Sequence, residues 1–226
     1  MSPIAKIIVA VAALLAAMAL GYWGYGALKI LEAQWTAVGG VKDASERLRE
    51  ALTIEAGPPA ADRAQTVRKL DEHVAAVDRF LQKLKWVDAS SDQALVDAAD
   101  DYLLTAREIL KRQADAHRYR LQWTESWQAL REHMRNDDRT GAWVRQAVKA
   151  RERANRDFRS YSIAARLFAK LLETLPASQK RIAPHFGPGV LIGNDLLAKA
   201  RGRALQDAER AAVEMEWKIE DVGTFR

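Results

Sequence analysis

Val67, Leu70, Val74, Val77, Leu81 and Leu84 follow one another in alternating steps of three and four, without a miss. That period holds one apolar line on a helix face, and flanking charges make it a coiled-coil-type seam over about 61–87. A second seam opens at Val96, Ala99, Leu103, Ala106 and Leu110 and resumes as Tyr119, Trp123, Trp127, Leu130 and Met134. It predicts one helix ending near residue 135, about 65 Å long if straight. Trp143, Ala147, Ala150, Ala154 and Phe158 begin a further helix over about 142–175, and a last one covers about 191–219. No β-branched alternating run reads as a strand.

The interruptions are sharp. "AGPPA" (56–60) stops the first pattern, and Gly39-Gly40 before it could act as a hinge. "DASSDQ" (88–93) offers Ser90, Ser91 or Asp92 as an N-cap, and "NDDRTG" (136–141) is a tight turn. "PASQKRIAPHFGPG" (176–189), with three prolines, reads as a longer connection. Short connections place consecutive helices side by side, which makes an all-α antiparallel bundle. The 61–87 helix spans only about 40 Å, so the two longer helices after it should overshoot the bundle as a projecting hairpin at about 113–160.

Between Lys6 and Lys29 lie 22 uncharged residues, "IIVAVAALLAAMALGYWGYGAL". As a helix this run would cover roughly 33 Å, enough to cross a hydrocarbon core, with Tyr22, Trp23 and Tyr25 near the headgroup level. A signal peptide cleaved after Ala17–Ala19 is the competing reading; the apolar run continues past that site into more helix, which favours a retained anchor. The expected organisation is therefore a single transmembrane helix and its interface (1–32) followed by a helical bundle domain (33–226). Flanking charges give almost no orientation, since Lys29, Lys42, Arg47 and Arg49 stand among acids. The short head ahead of the span favours export of the domain, and hence a bacterial inner-membrane protein with a periplasmic bundle. The lipid bilayer is then a partner through residues 7–28.

With the 136–141 turn centred near Asp138, Trp127 falls opposite Ala150, Trp123 opposite Ala154, Leu130 opposite Ala147 and Met134 opposite Trp143. Large residues meet small ones, which fills space between two close helices and makes the tryptophans mainly hairpin core. A two-helix projection cannot cover an indole on every side, however, and a partly exposed Trp beside Arg suits an interface. Tyr119, Trp123, Trp127 and Trp143, with Arg145, Lys149, Arg153 and Arg156, are the candidate partner-binding residues. Gln113 and His117 interrupt the seam; they could fix register or mark where the hairpin leaves the bundle.

Charge sharpens this picture. The net +5 is local: 14 basic and 8 acidic residues lie between Arg107 and Arg159, against 21 and 22 elsewhere. With no cysteine, disulfides, thiolate metal sites and thiol nucleophiles are excluded. His73, His117, His133 and His185 show no HExxH and no i, i+4 pair, so no metal site is expected. "GPGVLIGND" (187–195) has no preceding strand and no following Lys, which rules out a phosphate-binding loop. No catalytic residue, cofactor or metal is assigned, and an enzyme is not expected.

These features together suggest a single-pass membrane-anchored helical scaffold or adaptor of a bacterial envelope complex, acting by protein–protein contact. Two alternatives stay open: an extracytoplasmic ligand-sensing helical bundle, and a cytoplasmic membrane-attached nucleic-acid-binding protein, for which the basic middle segment is the weak argument. A pocket between helices near His117 and Gln113 would favour the first of these.

Overall fold

The computed structural model describes residues 31–57, 62–86, 93–136 and 140–223, with side chains as far as Met215. Six helices make up nearly all of it: α1 (31–56), α2 (Arg63–Leu84), α3 (Gln93–Arg135), α4 (Gly141–Leu172), α5 (Leu175–Phe186) and α6 (Asn194–Gly223). No strand occurs among the described residues, so the all-α reading holds. The apolar run 7–28, on which the anchor expectation rests, lies outside them, as do Ser90, Ser91 and Asp92. Among the described residues no helix is long and apolar enough to cross a membrane.

Local chemistry sets the helix starts. Asp62 caps α2 by accepting from the Gln65 amide at 2.8 Å, and Thr140 caps α4 by accepting from the Trp143 amide at 3.2 Å. Two expectations need correction. Gly39-Gly40 is no hinge, because α1 runs straight through it. Gly40 is buried where α1 meets α2, and an added Cβ there would stand 3.2 Å from the Phe80 ring, so the missing side chain serves close packing. The 176–189 stretch is no loop either. Pro176 sits in the first turn of α5, where no amide partner is needed, and Pro184 lies on its exposed side. Leu175, Ser178, Gln179 and Ile182 still form a buried line at helical spacing. Gly187, at φ 68°, ends the helix in a conformation that suits glycine.

Contacts fix the registers. Gly40 meets Phe80, Arg47 meets His73 and Glu50 meets Lys69, so α2 returns antiparallel along α1. Ser45 bonds to Tyr102 at 2.7 Å and the Ala51 carbonyl accepts from Gln113 at 2.9 Å, so α1 runs parallel to α3. The result is a molecule in two halves. In the first, α1, α2, the start of α3, the end of α4, α5 and the start of α6 enclose Val41, Leu48, Leu52, Leu70, Leu103, Phe168 and Ile182. In the second, α3 and α4 continue past the ends of α1 and α2. This overshoot was expected as a bare hairpin; instead α6 packs on it, and Ala208, Ala211 and Met215 join Trp123, Trp127, Tyr161 and Ala165 in a separate apolar cluster.

Candidate functional site

The outer face of α4 carries the most concentrated charge. Its inner line, Ala147, Ala154, Tyr161, Ala165, Phe168 and Leu172, is buried against α3 and α6. A second line with the same alternation of four and three runs along the opposite side: Arg145, Lys149, Glu152, Arg156, Arg159, Ile163, Arg166 and Lys170. All eight are exposed, and six are cations. Successive members stay within a narrow arc at about 100° per residue, so they form one ridge about 37 Å long. Among the described residues none of the six cations has a carboxylate within ion-pair reach. Val144, Val148, Ile163 and Leu167 add exposed apolar surface on or beside it.

The expected contact residues divide on this geometry. Trp123 and Trp127 are each 5% exposed and belong to the interior, as the large-to-small matching implied. Trp123 stacks on Tyr161, meets the edge of Phe158 and directs its indole N–H to Met215 Sδ at 3.4 Å. Neither indole is available to a partner, and α6 is the reason. Tyr119 and Trp143 are half-buried. Trp143 donates to the His133 carbonyl at 3.1 Å while its own carbonyl takes a bond from His133 Nε2 at 3.0 Å, so both serve the hairpin. Arg145, Lys149 and Arg156 lie on the ridge. Arg153 is exposed but stands roughly a quarter-turn away, 3.8 Å from Asp157. Sequence reasoning grouped Arg159 with these residues but saw no continuous stripe, and it missed Arg166 and Lys170, because Glu152 and Ile163 interrupt the run of charge.

A second polar feature occupies the shoulder between the two halves. Where α1 ends and α2 begins, Glu55, Arg63, His117, Arg120, Tyr161, Arg203 and Asp207 line a cavity of about 30 Å3. Asp207 takes a 2.6 Å bond from Arg120 and lies 3.6 Å from Arg203. Arg120 also donates to the Tyr161 hydroxyl at 3.1 Å. Glu55 is 3.0 Å from His117 Nε2 and 3.4 Å from Gln113 Nε2. So the two polar residues that break the α3 seam do fix register, by holding the C-terminal end of α1. Burial works against the Arg120 charge, but Tyr161 and Asp207 outweigh it and raise its pKa above the ordinary arginine value. Burial pushes the Tyr161 hydroxyl up. Arg63 goes the other way: burial, and then Arg120 beside it, lower its pKa.

Among the described residues no three of His, Asp and Glu gather closely enough to hold a metal ion. No protein-family model, no curated protein and no solved structure matches this chain.

Proposed function

We propose that the protein is a membrane-tethered helical adaptor of a bacterial envelope complex, whose α4 ridge docks an acidic helical face of a partner protein. The observation that carries this reading is the ridge: six exposed cations on eight successive 4–3 positions, unpaired among the described residues. That spacing keeps the line straight alongside another helix, as charged flanks do in helix pairs. A face built for lipid would instead set bulky apolar residues across the whole side opposite its charges. Here the apolar members are interspersed with the cations.

The tether rests on the uncharged run 7–28, and the described residues add support. The register of α1 and α2 sets Trp86 level with Trp35, at the end of the bundle where the chain comes from that run. Both are among the most exposed side chains, at 90% and 77%, and exposed Leu31 and Val38 adjoin Trp35. Tryptophan at such a position suits the headgroup region. A reporter fused after Arg226 tests the periplasmic placement.

The docking test uses the full chain in mild detergent. Partner captured by wild type at low salt should be stoichiometric, be released by raised salt, and be lost on R156E/R159E. The variant should keep its helicity and melt within about 0.5 kcal/mol of wild type, as exposed sites do. Recovery of clean monomer alone, or capture indifferent to the charge reversal, overturns the docking surface.

One observation favours the ligand-sensing reading as an alternative: the shoulder cavity lies between helices at His117. Its volume of about 30 Å3 is far below the roughly 300 Å3 of sites for organic ligands, which is why the adaptor reading leads.

A further inference from the structure

The charges around the shoulder cavity do not balance. Every helix that reaches it contributes: Glu55 from α1, Arg63 from α2, His117 and Arg120 from α3, Tyr161 from α4, Arg203 and Asp207 from α6. Three guanidinium groups face two carboxylates. Both carboxylates are engaged, Asp207 by Arg120 and Arg203, Glu55 by His117 and Gln113. Arg63 is left over. It is half-buried at the start of α2, the strongest charged influence on it is the like charge of Arg120, which outweighs the pulls of Asp207 and Glu55, and among the described residues no carboxylate lies within ion-pair reach of it. A guanidinium withdrawn from water beside another is costly unless something negative is shared between them.

Size limits what that can be. A cavity of about 30 Å3 accommodates about two waters, or one compact ion displacing them. It excludes nucleotides, sugars and amino acids. Planar guanidinium forks match the oxygens of phosphate and sulfate, and two such forks from different helices can share one anion. We propose that the shoulder cavity is a binding site for a small inorganic oxyanion, held between Arg63 and Arg120. The anion would join the start of α2 to α3 and so tie the end of the α1–α2 pair to the three-helix half. This site stands independently of the adaptor reading, because it lies between helices at the shoulder and not on the α4 ridge.

The test is equilibrium dialysis of the full chain in mild detergent against radiolabelled phosphate and sulfate, paired with thermal unfolding followed by circular dichroism. Ionic strength is held constant with a bulky organic anion. One anion should bind per chain, and the midpoint should rise saturably by about 5 °C over a millimolar range. R63Q should lose the binding and the rise. In anion-free buffer it should melt no lower than wild type, since it removes a crowded charge, so the two stability curves cross as anion is added. R156Q, on the ridge, should behave as wild type. Sulfate and phosphate also stabilise proteins generally by exclusion from the surface. A rise that never saturates, that persists in R63Q, or that occurs without bound label overturns the site. Loss of stability in R63Q that is the same with and without anion overturns it as well, by making Arg63 merely structural.

Discussion

Gly39 and Gly40 are neighbours in the middle of α1, yet alanine should act on them in opposite directions. In a helix interior alanine is favoured over glycine by about 0.5–1 kcal/mol, because the unfolded glycine has more conformational freedom to lose. At Gly39 an added Cβ meets nothing within 4 Å, so the full gain should appear. At Gly40 the same atom would stand 3.2 Å from Phe80 Cδ1 and 3.3 Å from both Cβ and Cγ. Rotating the ring relieves the first contact. It cannot relieve the contact with Phe80 Cβ, which is fixed to the α2 backbone. The helices must therefore part by a few tenths of an ångström, and overpacking of this kind costs about 1–3 kcal/mol. G40A should then lie about 1 kcal/mol below wild type and G39A somewhat above it. For a chain of this size the difference amounts to about 4–6 °C in unfolding midpoint. Urea and thermal unfolding, followed at 222 nm on the three proteins side by side, measure it. Equal stabilisation by both alanines would show that α2 does not approach α1 at this point. Equal destabilisation would show that the pair bends after all.

Two further predictions concern buried charge. D207A leaves Arg120 and Arg203 without their shared carboxylate, and should cost about 3 kcal/mol in urea unfolding; D207N, which keeps the shape, should recover only part of it. His73 is buried, with Nδ1 accepting from Arg47 at 3.2 Å and Nε2 within 3.2 Å of Glu50 but poorly aligned for a hydrogen bond. Burial, opposed by Glu50 and reinforced by Arg47 and Lys69, holds its pKa below the ordinary 6.5. The unfolded chain therefore takes up the proton first, so stability is full above about pH 6.5 and falls as pH drops below it. H73Q should flatten the curve just below about pH 6.5, whereas losses from Glu50, whose pKa is lowered chiefly by its bond from Lys69, begin only further down, near its ordinary 4.5. An unchanged slope in H73Q would contradict the assignment.

Most helices were legible because their apolar residues keep a 4–3 count: α2, α3 and α4 lie within a few residues of where Val67–Leu84, Val96–Met134 and Trp143–Phe158 put them. α5 was illegible for a definite reason. Its buried line is half polar, Ser178 and Gln179 between Leu175 and Ile182, and Pro184 stands inside it, where a proline ordinarily argues against a helix. The pairing of Trp123 with Ala154 was readable as large against small. What could not be read was the third helix lying over them, because the α6 residues that close the cluster are chiefly alanines, Ala208 and Ala211, whose small side chains give a weak apolar signal. The shoulder was half visible. Gln113 and His117 stood out as polar breaks in a seam, but their partner Glu55 is about sixty positions away and nothing local points to it.

α3, the longest described helix, runs without a break through both halves, 43 residues and about 65 Å from end to end. Whatever pulls on the hairpin tip is thus opposed lengthwise by a continuous ladder of backbone hydrogen bonds, with no slack segment to stretch first. A load applied at one extremity would reach the other as displacement of a stiff strut.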